Sequence, residues 1–112
     1  MSVALTEQAV LDRTKTVTRR LGWRFLRPYD RLTLCRKVQG RKRADGTVEP
    51  LVRIAEVEVL TGRRELLCDI TFDDVAREGF PNYSLRAFIQ FFCLHMRCTP
   101  DTEVTRIEWR YL

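Results

Sequence analysis

Residues 14–20 read Thr14-Lys15-Thr16-Val17-Thr18-Arg19-Arg20. Threonine and valine carry two heavy atoms on Cβ, which restricts the side chain against a helical turn and favours a pleated backbone. The stretch therefore predicts an extended segment. Lys15 and Thr18 stand three apart on it, among arginines.

On the N-terminal side, Thr6 is an acceptable N-cap for Glu7, Gln8, Ala9, Val10 and Leu11, predicting a short helix over 7–12. On the C-terminal side, Pro28-Tyr29-Asp30 is a turn signal. It is followed by Arg31–Lys37, where Leu32 and Leu34 alternate with charges as in a half-buried strand. Gly40, Asp45, Gly46 and Pro50 mark 39–50 as a hairpin loop. Strands are expected over Leu51–Leu60 and Arg63–Cys68. Thr71 caps a short helix with Asp73 and Asp74 in its first turn and Glu78 at its end, before Gly79 and Pro81. Ser84 caps a longer helix to about Met96, with Leu85, Phe88, Ile89, Phe92 and Met96 at helical spacing as its core face. Over 103–112, Thr105, Ile107, Trp109 and Tyr111 alternate with Val104, Arg106, Glu108 and Arg110 in a closing strand. Strands dominate and short helices plug the ends, which predicts an α+β chain forming a small closed or nearly closed barrel.

A chain of 112 residues, 45% of them hydrophobic, makes one domain over 1–112. The longest apolar stretch, Phe88–Met96, is broken by Gln90 and His95 and is too short to span a membrane. Glu7, Asp12, Arg13 and Lys15 interrupt the first twenty residues, so no export signal is read and a cytoplasmic protein is expected. Cys35, Cys68, Cys93 and Cys98 are accordingly expected as free thiols. Cys93, His95 and Cys98 lack a C-x-x-C pair or a matching half-site, so neither a metal nor a cofactor is expected.

The net charge of +5 conceals an asymmetry. Arg13 to Arg43 holds twelve Lys/Arg and one acid, Asp30, while the remainder holds eight basic and fourteen acidic residues. The basic segment suits a polyanion, or serves as a solvated surface. The acidic remainder is the feature that points to a protein partner.

A lysine buried among arginines is driven toward its neutral amine, since burial and like charge both disfavour the ammonium. A neutral Lys15 can take the proton of the Thr18 hydroxyl, and a carboxylate such as Glu78 can orient the pair or move a proton. The residues alone leave this open beside a plainer reading: a strand threonine, a surface lysine and a solvated glutamate.

The segment Lys15–Arg20 resembles the G-x-K-x-x-T-x-R signature of the ASCH family, with Lys15, Thr18 and Arg20 on its fixed positions. The Pro28-Tyr29-Asp30 turn, the Val75-Ala76-Arg77-Glu78-Gly79-Phe80 helix end and the aromatic closing strand through Trp109 extend the resemblance over essentially the whole chain. It is similar to small ASCH proteins of actinobacteria and their phages. The resemblance implies a PUA-like β-barrel that binds RNA or a modified nucleoside in a basic cleft. One bacterial branch is similar to an amidohydrolase that removes the acetyl group of N4-acetylcytidine, which implies Lys15, Thr18 and Glu78 as its catalytic set. The chain departs from the pattern at Arg13 and Tyr29, where the family has glycine.

Two functions follow. As a binding module, Lys15, Arg19, Arg20, Arg24 and Arg27 contact phosphates, Arg13 narrows the pocket mouth or adds a phosphate contact, and Trp23 or Phe80 stacks on a base. Trp23 reads equally as a core residue. As an enzyme, Thr18 attacks the acyl carbon, Lys15 takes its proton and Glu78 assists the leaving amine, with no metal.

Overall fold

The computed structural model describes residues 1–36, 44–46 and 51–112. Most of the predicted 39–50 hairpin loop, and Lys37 of the strand before it, lie outside the described residues. A 3₁₀ turn, Ala4–Thr6, leads into α1 (Glu7–Leu11), followed by β1 (Val17–Arg20), β2 (Arg31–Cys35) and β3 (Arg53–Leu66). A second 3₁₀ turn, Leu67–Asp69, precedes α2 (Phe72–Arg77), α3 (Leu85–Met96) and β4 (Glu103–Tyr111). The sheet order is β1-β4-β3-β2, and every pairing is antiparallel.

β4 lies inside the sheet, and its successive side chains go to opposite faces. Ile107 and Trp109 join Val3, Val10, Leu34, Val57 and Val59 in one apolar cluster, while Val104 joins Leu67, Val75, Phe88 and Phe92 in another beneath α2 and α3. The alternation read from the sequence therefore has both of its faces covered, and Val104 through Ile107 are all buried.

Two expectations are corrected. The predicted strands 51–60 and 63–68 form a single strand, β3, whose register shifts between Val59 and Thr61. Gly62 keeps it continuous, because a Cβ there would lie 3.2 Å from the Leu26 carbonyl oxygen where the 21–30 loop crosses the strand. The expected barrel is an open four-stranded sheet: no ladder joins β1 to β2 among the described residues. β1 is only four residues long, and the N-terminal segment bonds to both edges instead. Ser2 bridges to Cys35, and the Arg20 guanidinium donates to the Ser2 carbonyl at 2.8 Å.

The caps follow the sequence at two helices of three. Thr71 Oγ1 accepts from the Asp74 N–H at 3.3 Å, and Ser84 Oγ accepts from Ala87 N–H at 3.0 Å. Thr6 makes no side-chain cap bond, since the 3₁₀ turn already leads into α1. No helix among the described residues is long and apolar enough to cross a membrane, and the four cysteines carry free thiols.

Candidate functional site

Lys15 is delivered to the interior by a tight reversal after α1. Its N–H and that of Thr14 both donate to Ala9 O, and Arg13 between them and the helix is left-handed at φ 61°. Two aromatic residues of β4 then pin the Lys15 carbonyl: Trp109 Nε1 donates to it at 3.0 Å and the Tyr111 hydroxyl at 2.5 Å. Beyond this anchor the side chain runs inward and is 2% exposed.

Its amine meets the end of α2. A helix leaves its last carbonyls without intrahelical partners, and a cation there complements the dipole. Lys15 Nζ donates to Glu78 O at 2.5 Å and lies 3.6 Å from Glu78 Oε1. Gly79, at φ +103°, turns the chain away directly after Glu78, and a Cβ on it would lie 3.0 Å from Thr6 Cγ2. Burial pushes the Lys15 amine down to about 8, with Glu78 opposing the shift and Arg20 adding to it.

Thr18 is buried and lines the same cavity, and its Oγ1 accepts from Arg20 Nε at 3.3 Å. The hydroxyl proton is thus left to give to another group. Burial also lowers the Arg20 guanidinium from its ordinary value.

Arg19 is held inside by three carboxylates: Glu78 Oε2 at 3.0 Å, Asp74 Oδ2 at 2.7 Å and Glu65 Oε2 at 3.1 Å. Burial works against its charge, but Glu78 and Asp74 outweigh it and raise the guanidinium value. Arg106 adds two bonds to Asp74, at 2.7 and 3.1 Å. Burial alone would raise the Asp74 carboxyl; Arg106 and Arg19 hold it at about 2 instead. Arg19 Nε is buried without a hydrogen-bond partner among the described residues.

Lys15, Thr18, Arg19, Arg20 and Glu78 line one side of a cavity of about 160 Å³, and Phe80, Phe88, Phe91, Phe92 and Met96 line the other. Ser2 to Thr6 complete its wall. Phe80 and Phe91 are 5.0 Å apart between centroids, so the apolar side is aromatic.

Six of the ten residues singled out in the sequence thus meet at one cavity: Lys15, Thr18, Arg19, Arg20, Glu78 and Phe80. The other four stand elsewhere. The Arg13 guanidinium is 5.6 Å from the Tyr111 ring centroid, away from that cavity rather than at its mouth. Trp23 packs partly buried against the first apolar cluster, 5.9 Å from Phe25, and Arg24 and Arg27 are exposed. The Arg19 guanidinium, expected to contact phosphates, is inside and bonded to carboxylates. Sequence reading missed Asp74 and Arg106. Asp73 and Asp74 look alike in a helix's first turn, and only the packing of α2 on the sheet, with Arg19 of β1 and Arg106 of β4 against Asp74, makes one exposed and the other buried. It also read Phe88, Phe92 and Met96 as core alone, and they also wall the cavity.

Two solved structures share this arrangement of elements. A protein of Enterococcus faecalis V583, assigned to the DUF984 family, matches with TM-score 0.59 at 10% identity over 95% of this chain and 66% of its own. The ASCH domain from Lactobacillus crispatus JV V101 matches with TM-score 0.56 at 17% identity over 96% of this chain and 70% of its own. The fold is ASCH-like. The chain spans just under two thirds of the length of the Enterococcus protein. No family model and no curated protein matches the chain.

An ASCH-like fold gives the two departures from the signature a geometric sense. Arg13 and Tyr29 stand where glycine is usual, and both are left-handed, at φ 61° and 77°. Glycine takes such angles at no steric cost. Here two residues other than glycine take such an angle.

Proposed function

We propose that the chain is an ASCH-type binding module that takes a single modified base, as a free nucleoside or an unpaired RNA residue, into the Lys15–Thr18–Glu78 cavity. The observation that carries this reading is the convergence of Lys15 and Glu78, 63 positions apart, on one aromatic-walled cavity that also holds Thr18 and Phe80. An aromatic face stacks on any base, and the opposite polar side supplies donors and an acceptor for its edge. Exposed Arg24 and Arg27 are available to phosphates of a longer strand. Calorimetric titration with N4-acetylcytidine and cytidine tests the reading: the modified nucleoside is expected to bind more tightly, and Phe80→Ala to weaken it about tenfold. No binding of any nucleoside or oligonucleotide would end it.

A second reading is favoured by one specific observation, a buried amine that titrates near pH 8 beside a carboxylate. In it the module is an amidohydrolase for N4-acylated cytosine. Thr18 Oγ attacks the acyl carbon as its proton passes to Lys15. The C–N bond then breaks as the leaving amine takes a proton with help from Glu78, and water hydrolyses the acyl-threonine. Release of acetate by purified, metal-free protein tests this reading, and intact ligand after prolonged incubation would leave the binding module.

A further inference from the structure

We propose that the cavity holds an anionic oxygen group of its ligand, a carboxylate or a phosphate, against the Arg20 guanidinium. The inference rests on this cavity being the ligand site and leaves the identity of the ring to the reading above.

The case begins with the partners of each cation. Lys15 faces Glu78, Arg19 is bonded to Glu78, Asp74 and Glu65, and Arg106 is bonded to Asp74. Arg20 differs. Its Nη2 donates to the Ser2 carbonyl at 2.8 Å and its Nε to the Thr18 hydroxyl at 3.3 Å, both neutral oxygens. Among the described residues it has no ion pair, although burial already lowers its guanidinium and Glu78 acts on it only at a distance. A partly buried cation without an ion pair is under-compensated, and the protein sets only the distant Glu78 against this one.

A second orphan lies in the same wall. Arg19 is 2% exposed, lines the cavity, and its Nε has no acceptor among the described residues. A buried N–H without a partner calls for one. Glu78 is the carboxylate of this wall, but Arg19 at 3.0 Å and Lys15 at 3.6 Å already engage it, so it offsets Arg20 only from a distance. Of the two, Arg20 is the one that an anionic guest in the cavity would serve, since Arg19 Nε has no accessible surface.

The opposite wall limits what carries the anion. Phe80 and Phe91 present an aromatic surface, and a cavity of about 160 Å³ is close to the roughly 150 Å³ that holds a benzene ring. The ligand class is therefore a single flat ring whose carboxylate, or nearby phosphate, reaches Arg20.

Two neutral–anionic pairs test this by titration of the folded protein at pH 7: benzamide with benzoate, and cytidine with cytidine 5′-monophosphate. The anionic member of at least one pair should bind tenfold or more tightly, a benzoate preference indicating a ring carboxylate and a nucleotide preference a phosphate. Arg20→Gln should reduce that preference to within twofold. If Arg20→Gln fails to fold, the wild-type preference is followed instead from pH 7 to pH 9, where it should shrink as Lys15 beside Arg20 loses its charge. Absence of preference in both pairs, or a preference that survives Arg20→Gln or is unmoved by pH, overturns the proposal. Benzoate binding with no nucleoside binding leaves the anion site standing and removes the nucleoside reading.

Discussion

The Lys15 amine meets Glu78 twice, donating to its backbone carbonyl at 2.5 Å and standing 3.6 Å from its carboxylate. The first contact ties the residue to the end of α2 in either charge state of the carboxylate. The second makes its own charge state depend on a neighbour that ligand binding can alter.

Lys15 gives stability a specific pH dependence. Its folded value of about 8 lies below the unfolded range near 10.4, so above about pH 8 the unfolded chain binds the extra proton. Stability contributed by this group therefore rises from about pH 8 to 10, by at most about 3 kcal/mol. Urea unfolding at pH 7.5 and pH 9.5 should show the rise in wild type and not in Lys15→Met.

Asp74 has the same sign in a lower pH window. Its carboxyl is held at about 2 by Arg106 and Arg19, so its contribution is complete above the ordinary aspartate range near 3.9 and is lost as pH falls toward 2. Asp74→Asn leaves two guanidinium groups short of their charge partner inside the protein and should cost about 3 kcal/mol at neutral pH. Its acid-unfolding curve between pH 4 and 2 should be flatter than that of wild type.

Tyr29 is 81% exposed at φ 77°. Removing the Cβ relieves about 1 kcal/mol of left-handed strain, while glycine's freer unfolded state returns part of it. Tyr29→Gly should raise the melting temperature by a few degrees. Arg13→Gly should gain less, because it forfeits the cation–π contact with Tyr111.

Gly79→Ala combines a positive φ with a Cβ placed 3.0 Å from Thr6. It should destabilise by about 1–3 kcal/mol, and calorimetric melting measures the loss. Because Thr6 and Glu78 both line the cavity, nucleoside affinity should also fall in protein that remains folded.

Thr18→Val and Glu78→Gln separate the two functional readings. If the site hydrolyses acylated cytidine, Thr18→Val abolishes acetate release, and Glu78→Gln slows turnover while the KM changes little. Wild-type protein that binds the nucleoside and releases no acetate marks a binding site.

How far the sequence reaches can be judged from particular residues. Thr71, Ser84 and the apolar spacing from Leu85 to Met96 are local signals, and α2 and α3 begin where those signals stand. Lys15, Thr18 and Glu78 were legible because a residue pattern resembling the ASCH signature singled them out. The single long strand β3 was not, because Gly62 looks like a break until the 21–30 loop is seen against it. The open sheet was hidden for a similar reason. The bonds from Ser2 to Cys35 and from Arg20 to Ser2 join distant segments, and no local pattern encodes them.

Arg13 and Tyr29 carry one more lesson, about descent. At both positions a residue other than glycine stands at a left-handed backbone angle. Glycine at such a site contributes conformational ease worth about 1 kcal/mol, a sum that a well-packed core can offset elsewhere, so the letter is free to drift. In this chain a left-handed backbone, and not a glycine, marks both turns.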